Sequence, residues 1–149
     1  MSALEAAVKI LSRRNYSSAE VRNKLLEKDF SEEDAEAAVS RLTELGYIKD
    51  QELAASVCRD LCRRGYGLLR VKAELNKRGF DRENTDNALL EYETNTEWMD
   101  KHVMQVLDGK MPERKLLGKL SRSLASRGFM WDEISSCIDR CMEELRGLY

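Results

Sequence analysis

The residues best suited to thiol or metal chemistry in this 149-residue chain are four cysteines, arranged as Cys58-x-x-x-Cys62 and Cys137-x-x-x-Cys141. A spacing of four on a helix puts both thiols of a pair on one face, where zinc chemistry could be imagined. Structural zinc sites use Cys-x2-Cys in a tight turn, and that spacing is absent. Cysteine is also a small, often buried core residue. The pattern therefore predicts free core thiols in a reducing cytoplasm. His102 is the only histidine, and no Ser or Cys partner sits at a spacing that would make a nucleophilic triad. No Gly-x-x-x-x-Gly-Lys loop, Gly-x-Gly-x-x-Gly turn or metalloprotease motif occurs. Carboxylates cluster at helix starts, where capping accounts for them. The chain reads as a binding module, not an enzyme, and calls for no cofactor or metal.

Charge carries the sharper signal. The formal net charge is only −2, yet charged residues make up 35% of the chain. From Arg59 to Arg82, eight Lys or Arg face three acids, leaving +5. From Lys110 to Arg127, six face one, again leaving +5. Such segregation favours an anionic or dipolar partner. Arg63, Arg64, Arg70, Lys72, Lys77 and Arg78 could present a basic ridge to phosphates or to an acidic protein groove. In the plainer reading they are helix C-terminal charges and a solvated face. Tyr16, Tyr66, Phe30, Phe80 and Phe129 fall at helix turns, where they are expected to fix interhelical angles.

Helical stripes must position these residues. Leu4, Ala7, Val8 and Leu11 recur at i, i+3, i+4, i+7. Ser17 is placed to cap the next helix, with Glu20 completing a capping box. Ser31 opens a third helix with Glu32, Glu33 and Asp34 in its first turn, and Gly46 ends it. Asp50 is expected to cap a helix cored by Leu53, Val57 and Leu61. Gly67 opens one cored by Val71 and Leu75, and Asp81 caps one with Thr85, Ala88, Leu89 and Tyr92 inside. Thr96 is expected to cap a helix with Trp98, Val103 and Leu107, and Pro112 to open the next, with Leu117, Leu120 and Leu124. The last helix holds Ile134, Cys137, Ile138, Cys141 and Leu145. No segment alternates like a strand, and no apolar run approaches the ~18 residues of a membrane span. With no leader peptide recognisable, a soluble cytoplasmic protein is expected.

The text repeats. Tyr16 and Tyr66, Phe30 and Phe80, Val21 and Val71, and Leu25 and Leu75 are each 50 residues apart. Arg127-Gly128-Phe129 repeats Arg78-Gly79-Phe80 at 49. The repeat predicts an all-α chain of three tandem three-helix, helix-turn-helix-like units: 1–48, 49–95 and 96–149. Units too small to bury much surface alone stack on neighbours. The expectation is an elongated, curved rod suited to gripping an extended partner, with no need to self-associate.

Three stretches resemble the RecX family of recombinase regulators. One runs from Leu45-Gly46-Tyr47-Ile48-Lys49-Asp50 to Ala54. Another runs from Arg63-Arg64-Gly65-Tyr66-Gly67 to Leu75, followed by Lys77-Arg78-Gly79-Phe80. The third joins Lys115-Leu116-Leu117 to Arg127-Gly128-Phe129. The opening from Ser12-Arg13-Arg14 to Leu25 fits as well, so the likeness covers nearly the whole chain. It implies tandem three-helix repeats that bind RecA filaments on single-stranded DNA. It also implies inhibition of RecA's ATP hydrolysis, strand exchange and co-protease activity without catalysis, and weaker direct contact with single- or double-stranded DNA. If these traits carry over, Arg63, Arg64, Tyr66, Arg70, Lys72, Lys77 and Arg78 are the candidate contacts. Lys115, Lys119, Arg122 and Arg127 form a second set. The alternative is a helix-turn-helix-like DNA-binding module acting without RecA.

Overall fold

A computed structural model describes residues 1–147. Among the described residues there are nine α-helices and no strand: α1 (Ala3–Leu11), α2 (Ser18–Glu27), α3 (Glu32–Glu44), α4 (Asp50–Arg63), α5 (Leu68–Lys77), α6 (Arg82–Leu89), α7 (Thr96–Leu107), α8 (Arg114–Ser126) and α9 (Trp131–Gly147). None is long and apolar enough to cross a membrane.

Local chemistry explains where most helices start. Ser17 caps α2 through the Glu20 amide, and Glu20 returns the bond to the Ser17 amide, the reciprocal capping box. Ser31 and Asp81 cap α3 and α6 by accepting from the Asp34 and Asn84 amides, without the return bond. Other starts differ from the sequence expectation. Asn95, not Thr96, caps α7 by accepting from the Trp98 amide. Its own amide group donates to the Cys62 carbonyl, which ties the cap to the end of α4. Pro112 stands two residues before α8, whose N-cap position is Glu113. Asp50 is the first residue of α4 rather than its cap, because its carboxylate accepts from the Ser18 amide and hydroxyl instead.

The chain divides into two compact units. Residues 1–57 with 74–90 form the first; 58–73 with the chain from Glu91 onward form the second. In the first unit, α1, α2 and α3 pack on one another around Ala6, Ala7, Ile10, Val21, Leu25, Ala35, Val39 and Leu42. The inward stripe of α1 is Ala6, Ala7 and Ile10, while Leu4 and Val8 are exposed. Helix α1 is apolar nearly all round, so periodicity alone admits both stripes. In the second unit, α7 and α8 both pack on α9 around Met99, Val103, Leu107, Leu120, Leu124, Phe129, Ile134, Cys137, Cys141 and Leu145.

The four cysteines are free and buried, as expected. Cys58 stands 50 residues after Val8, yet Val8 is exposed and Cys58 is buried. The burial counterpart of Cys58 is Ala7, an offset of 51 where the tyrosines keep 50. Six positions separate the last buried residue Ile10 from Tyr16, against five from the buried Leu61 to Tyr66.

Candidate partner-binding interface

The Arg-Gly-Phe turns build two equivalent joints, one inside each compact unit. In the first unit the turn Arg78-Gly79-Phe80 docks on the entrance to α2. The Ser17 hydroxyl donates to the Arg78 carbonyl at 2.6 Å. The Arg78 guanidinium donates through Nε to Glu20 Oε1 at 3.1 Å and through Nη2 to the Asn15 carbonyl at 3.0 Å. Gly79 adopts φ +78°, and a Cβ there would lie 2.6 Å from Ala19 Cβ. Glycine is therefore required both for conformation and for contact.

In the second unit the turn Arg127-Gly128-Phe129 docks on the entrance to α5. The Gly67 amide donates to the Arg127 carbonyl at 2.9 Å and the Leu69 amide to the Gly128 carbonyl at 3.0 Å. Arg127 donates through Nε to the Gly65 carbonyl and through Nη2 to the Arg64 carbonyl, both at 2.8 Å. Its guanidinium lies 4.2 Å from the Tyr66 ring and 4.3 Å from the Trp98 ring. Gly128 has φ +96°, and a Cβ there would lie 2.4 Å from the Arg70 backbone nitrogen. Main chain meets main chain here, so this joint is the tighter one.

Both Arg78 and Arg127 were expected among exposed contacts. The structure gives them anchoring duties: their donors are spent on backbone carbonyls, and for Arg78 also on Glu20. Only 14% of the Arg78 side chain is exposed. Arg78 follows α5, one residue past the helix that carries Arg70 and Lys77. The carbonyls they bind, Asn15 and Gly65, are themselves 50 apart, in register with the repeat.

Charge distinguishes the two joints. In the first, Tyr16 is bracketed by Arg14 at 4.5 Å and Lys24 at 5.0 Å, and Glu20 neutralises Arg14 and Arg78. Burial pushes the Glu20 carboxyl up, but the Ser17 amide and the Arg78 and Arg14 guanidiniums outweigh it and hold the carboxyl below its ordinary value. In the second, the residue in the place of Glu20 is Arg70. Arg64, Arg70 and Arg127 stand 5.4, 5.0 and 4.2 Å from the Tyr66 ring. The ring faces attract each cation. Asp60, which pairs with Arg63 and Arg64, is the one carboxylate bonded to this group among the described residues. The swap of Glu for Arg turns a balanced joint into a positive one.

The remaining candidates are exposed. Lys72 and Lys77 lie on α5 with no acidic partner among the described residues. Lys115, Lys119 and Arg122 recur at i, i+4 and i+7 on α8, one face of a helix with no acid in its first turn. None of the three has an acidic partner among the described residues.

Sequence reasoning missed the surroundings of Tyr66. Trp98 roofs Arg127 and stacks on His102 at 4.8 Å and on Phe129 at 6.2 Å. Burial and the Arg127 charge lower the His102 pKa, so the ring favours its neutral form. Tyr92, expected inside α6, lies beyond it. Its hydroxyl donates to Glu133 at 2.9 Å, and the Thr94 hydroxyl donates to the same carboxylate oxygen. Elsewhere, ligand atoms of Asp100, Cys137 and Cys141 lie within 4.8 Å of one another. Both Asp100 oxygens accept from Arg140, and burial pushes both thiols up, away from the thiolate a metal needs. Burial likewise pushes Cys58 up to about 12.

Comparison with known proteins gives one consistent answer. Residues 3–42 match the family description "RecX, first three-helix domain", and residues 50–89 match "RecX, second three-helix domain". The chain is 32% identical to "Regulatory protein RecX" of Mannheimia succiniciproducens, over 95% of each chain. It is 33% identical to the protein of that name from Xanthomonas axonopodis pv. citri, over 88% of this chain and 82% of the relative. The crystal structure of RecX from Lactobacillus salivarius superimposes with a TM-score of 0.84 at 25% identity, over 93% of this chain and 94% of that one. A second crystal structure, of regulatory protein RecX, shares the fold with a TM-score of 0.78 at 23% identity, over 92% of this chain and 70% of that one. On two matched domains and near full-length identity, this chain belongs to the RecX family of regulatory proteins.

Proposed function

We propose that this chain binds RecA filaments on single-stranded DNA and restrains RecA's ATP hydrolysis, strand exchange and co-protease activity, without catalysis of its own. Family membership supports the regulatory role. The observation that carries the contact is the cation cluster around Tyr66, where Arg70 replaces the glutamate that balances the equivalent joint. A surplus of positive charge held by rigid backbone bonds suits an acidic protein surface or phosphates. In this reading the three triplets, 1–48, 49–95 and 96–149, are the functional units. Arg63, Arg64, Tyr66, Arg70, Lys72 and Lys77 make the main contact, and Lys115, Lys119 and Arg122 a second one. Arg127 positions Arg64 and Tyr66, and Arg78 anchors the equivalent joint of the first unit.

The test is RecA-catalysed ATP hydrolysis on single-stranded DNA with this protein titrated in. Wild type is expected to inhibit, and Arg70→Glu/Lys72→Glu to inhibit at least tenfold less well. Unchanged hydrolysis at saturating wild-type protein would sink the proposal. The acid-free face of α8 favours a second reading, a helix-turn-helix-like module that binds DNA without RecA. Binding to DNA alone that weakens steeply with salt, with RecA activity untouched, is the outcome that reading requires.

A further inference from the structure

The two joints serve as controls for each other, because in each an Arg-Gly-Phe turn docks on the entrance to the equivalent helix of one chain. Ala19, Asp81 and Arg82 of the first joint correspond to Leu69, Met130 and Trp131 of the second, at the same offsets of 50 and 49. All three replacements are larger and more apolar. All three are also exposed: Leu69 by 51%, Met130 by 43% and Trp131 by 67%. The fold does not require them, since the first joint closes without them. Asp81 caps α6 by accepting from the Asn84 amide at 2.8 Å. Met130 precedes α9 and has no such side-chain acceptor to offer.

These residues lie together. The Leu69 amide bonds the Gly128 carbonyl, and Met130 and Trp131 follow Gly128 by two and three residues. Chain length alone keeps the three within about 15 Å. Arg70, which follows Leu69, is exposed and has no acidic partner among the described residues; Lys72 is two positions further on. Exposed Trp, Met and Leu side chains on neighbouring backbone, beside exposed Arg70 and Lys72, have the composition of a protein interface, where Trp, Met and Arg are enriched.

We infer that Leu69, Met130 and Trp131 form the apolar centre of a docking surface for a protein partner that presents an apolar pocket rimmed by carboxylates. This inference rests on the filament-binding function proposed above and names the chemistry of its contact. Charge complementarity supplies the carboxylate rim, opposite Arg70 and Lys72. Aliphatic Leu69 and Met130 favour protein over nucleic acid, because single strands are held on successive aromatic platforms. Tyr66, the neighbouring aromatic, already carries three guanidiniums.

The test transplants the first joint into the second as Leu69→Ala/Met130→Asp/Trp131→Arg. The chain itself uses these residues at the equivalent places, and the net charge is unchanged. Binding to RecA filaments and to single-stranded DNA alone is measured for wild type and variant, with a thermal melt of each. The expected result is filament binding at least tenfold weaker, with DNA binding unaltered and a cooperative melt retained. Wild-type filament binding by the variant overturns the docking surface and leaves the proposed function standing. An equal loss on DNA alone overturns it in favour of a base-stacking platform. A wild-type protein that binds no filament removes the proposed function, and this surface falls with it. Should the triple variant fail to melt cooperatively, Trp131→Ala decides the matter, since that side chain is largely exposed; the same tenfold loss is expected.

Discussion

At the scale of single residues, one position of the repeat adopts the left-handed conformation each time, under different constraints. Asp29, Gly79 and Gly128 all have positive φ, at +69°, +78° and +96°. The two glycines are pressed against another segment within their unit, whereas Asp29 carries a full, exposed side chain. The glycines are thus dictated by docking as well as by backbone. Gly128→Ala is expected to cost about 3 kcal/mol or more, because left-handed strain adds to a main-chain clash with Arg70. Asp29→Gly is expected to be neutral or to stabilise by up to ~1 kcal/mol, since it only relieves the left-handed penalty. Chemical denaturation of the two variants beside wild type checks both signs.

At the scale of elements, the first joint is an ionic lock between the entrance of α2 and the turn after α5. Arg78 and Glu20 are each mostly buried, with 14% and 19% of their side chains exposed. A charge-assisted pair of this kind is worth about 2 kcal/mol. The folded-state pKa of Glu20 lies below its ordinary 4.5. The unfolded chain therefore binds the proton more readily, so the lock contributes fully above about pH 4.5 and drains as pH falls through the lowered value. Glu20→Gln is expected to destabilise by about 2 kcal/mol at pH 7. The gap to wild type should narrow steadily toward pH 3, and melting curves across that range read it directly.

The joints also mark what the sequence could tell. Ser17, Ser31 and Asp81 were legible as caps because capping depends on neighbours three residues away. The stripe of α9 was legible because its polar face is unambiguous. Arg78 and Arg127 looked like any helix-terminal arginines, because their partners lie 58 to 63 residues upstream. Asp50 misled for the same reason: Ser18, which takes its carboxylate, is 32 residues away. The basic segments were visible in sequence, but the sorting of their members into anchors and free cations required the docked turns.

At the scale of the whole molecule, charge is partitioned between the compact units. The first holds eleven Lys or Arg against fifteen Asp or Glu, a net −4; the second holds fourteen against twelve, a net +2. A chain slightly acidic overall thus offers an anionic partner one favourable half. Steering acts over about a Debye length, roughly 8 to 10 Å at physiological salt. Placement of charge should therefore matter more than its total. Lys115→Glu/Lys119→Glu/Arg122→Glu in the second unit and Lys9→Glu/Arg13→Glu/Lys28→Glu in the first change the net charge equally. The former is expected to weaken RecA filament binding at least tenfold at 50 mM salt and to flatten its salt dependence by about three counterions. The latter is expected to leave both within twofold. Equal losses in the two variants, measured by binding across a salt series, would mean that total charge governs association and that the α8 face has no special part in it.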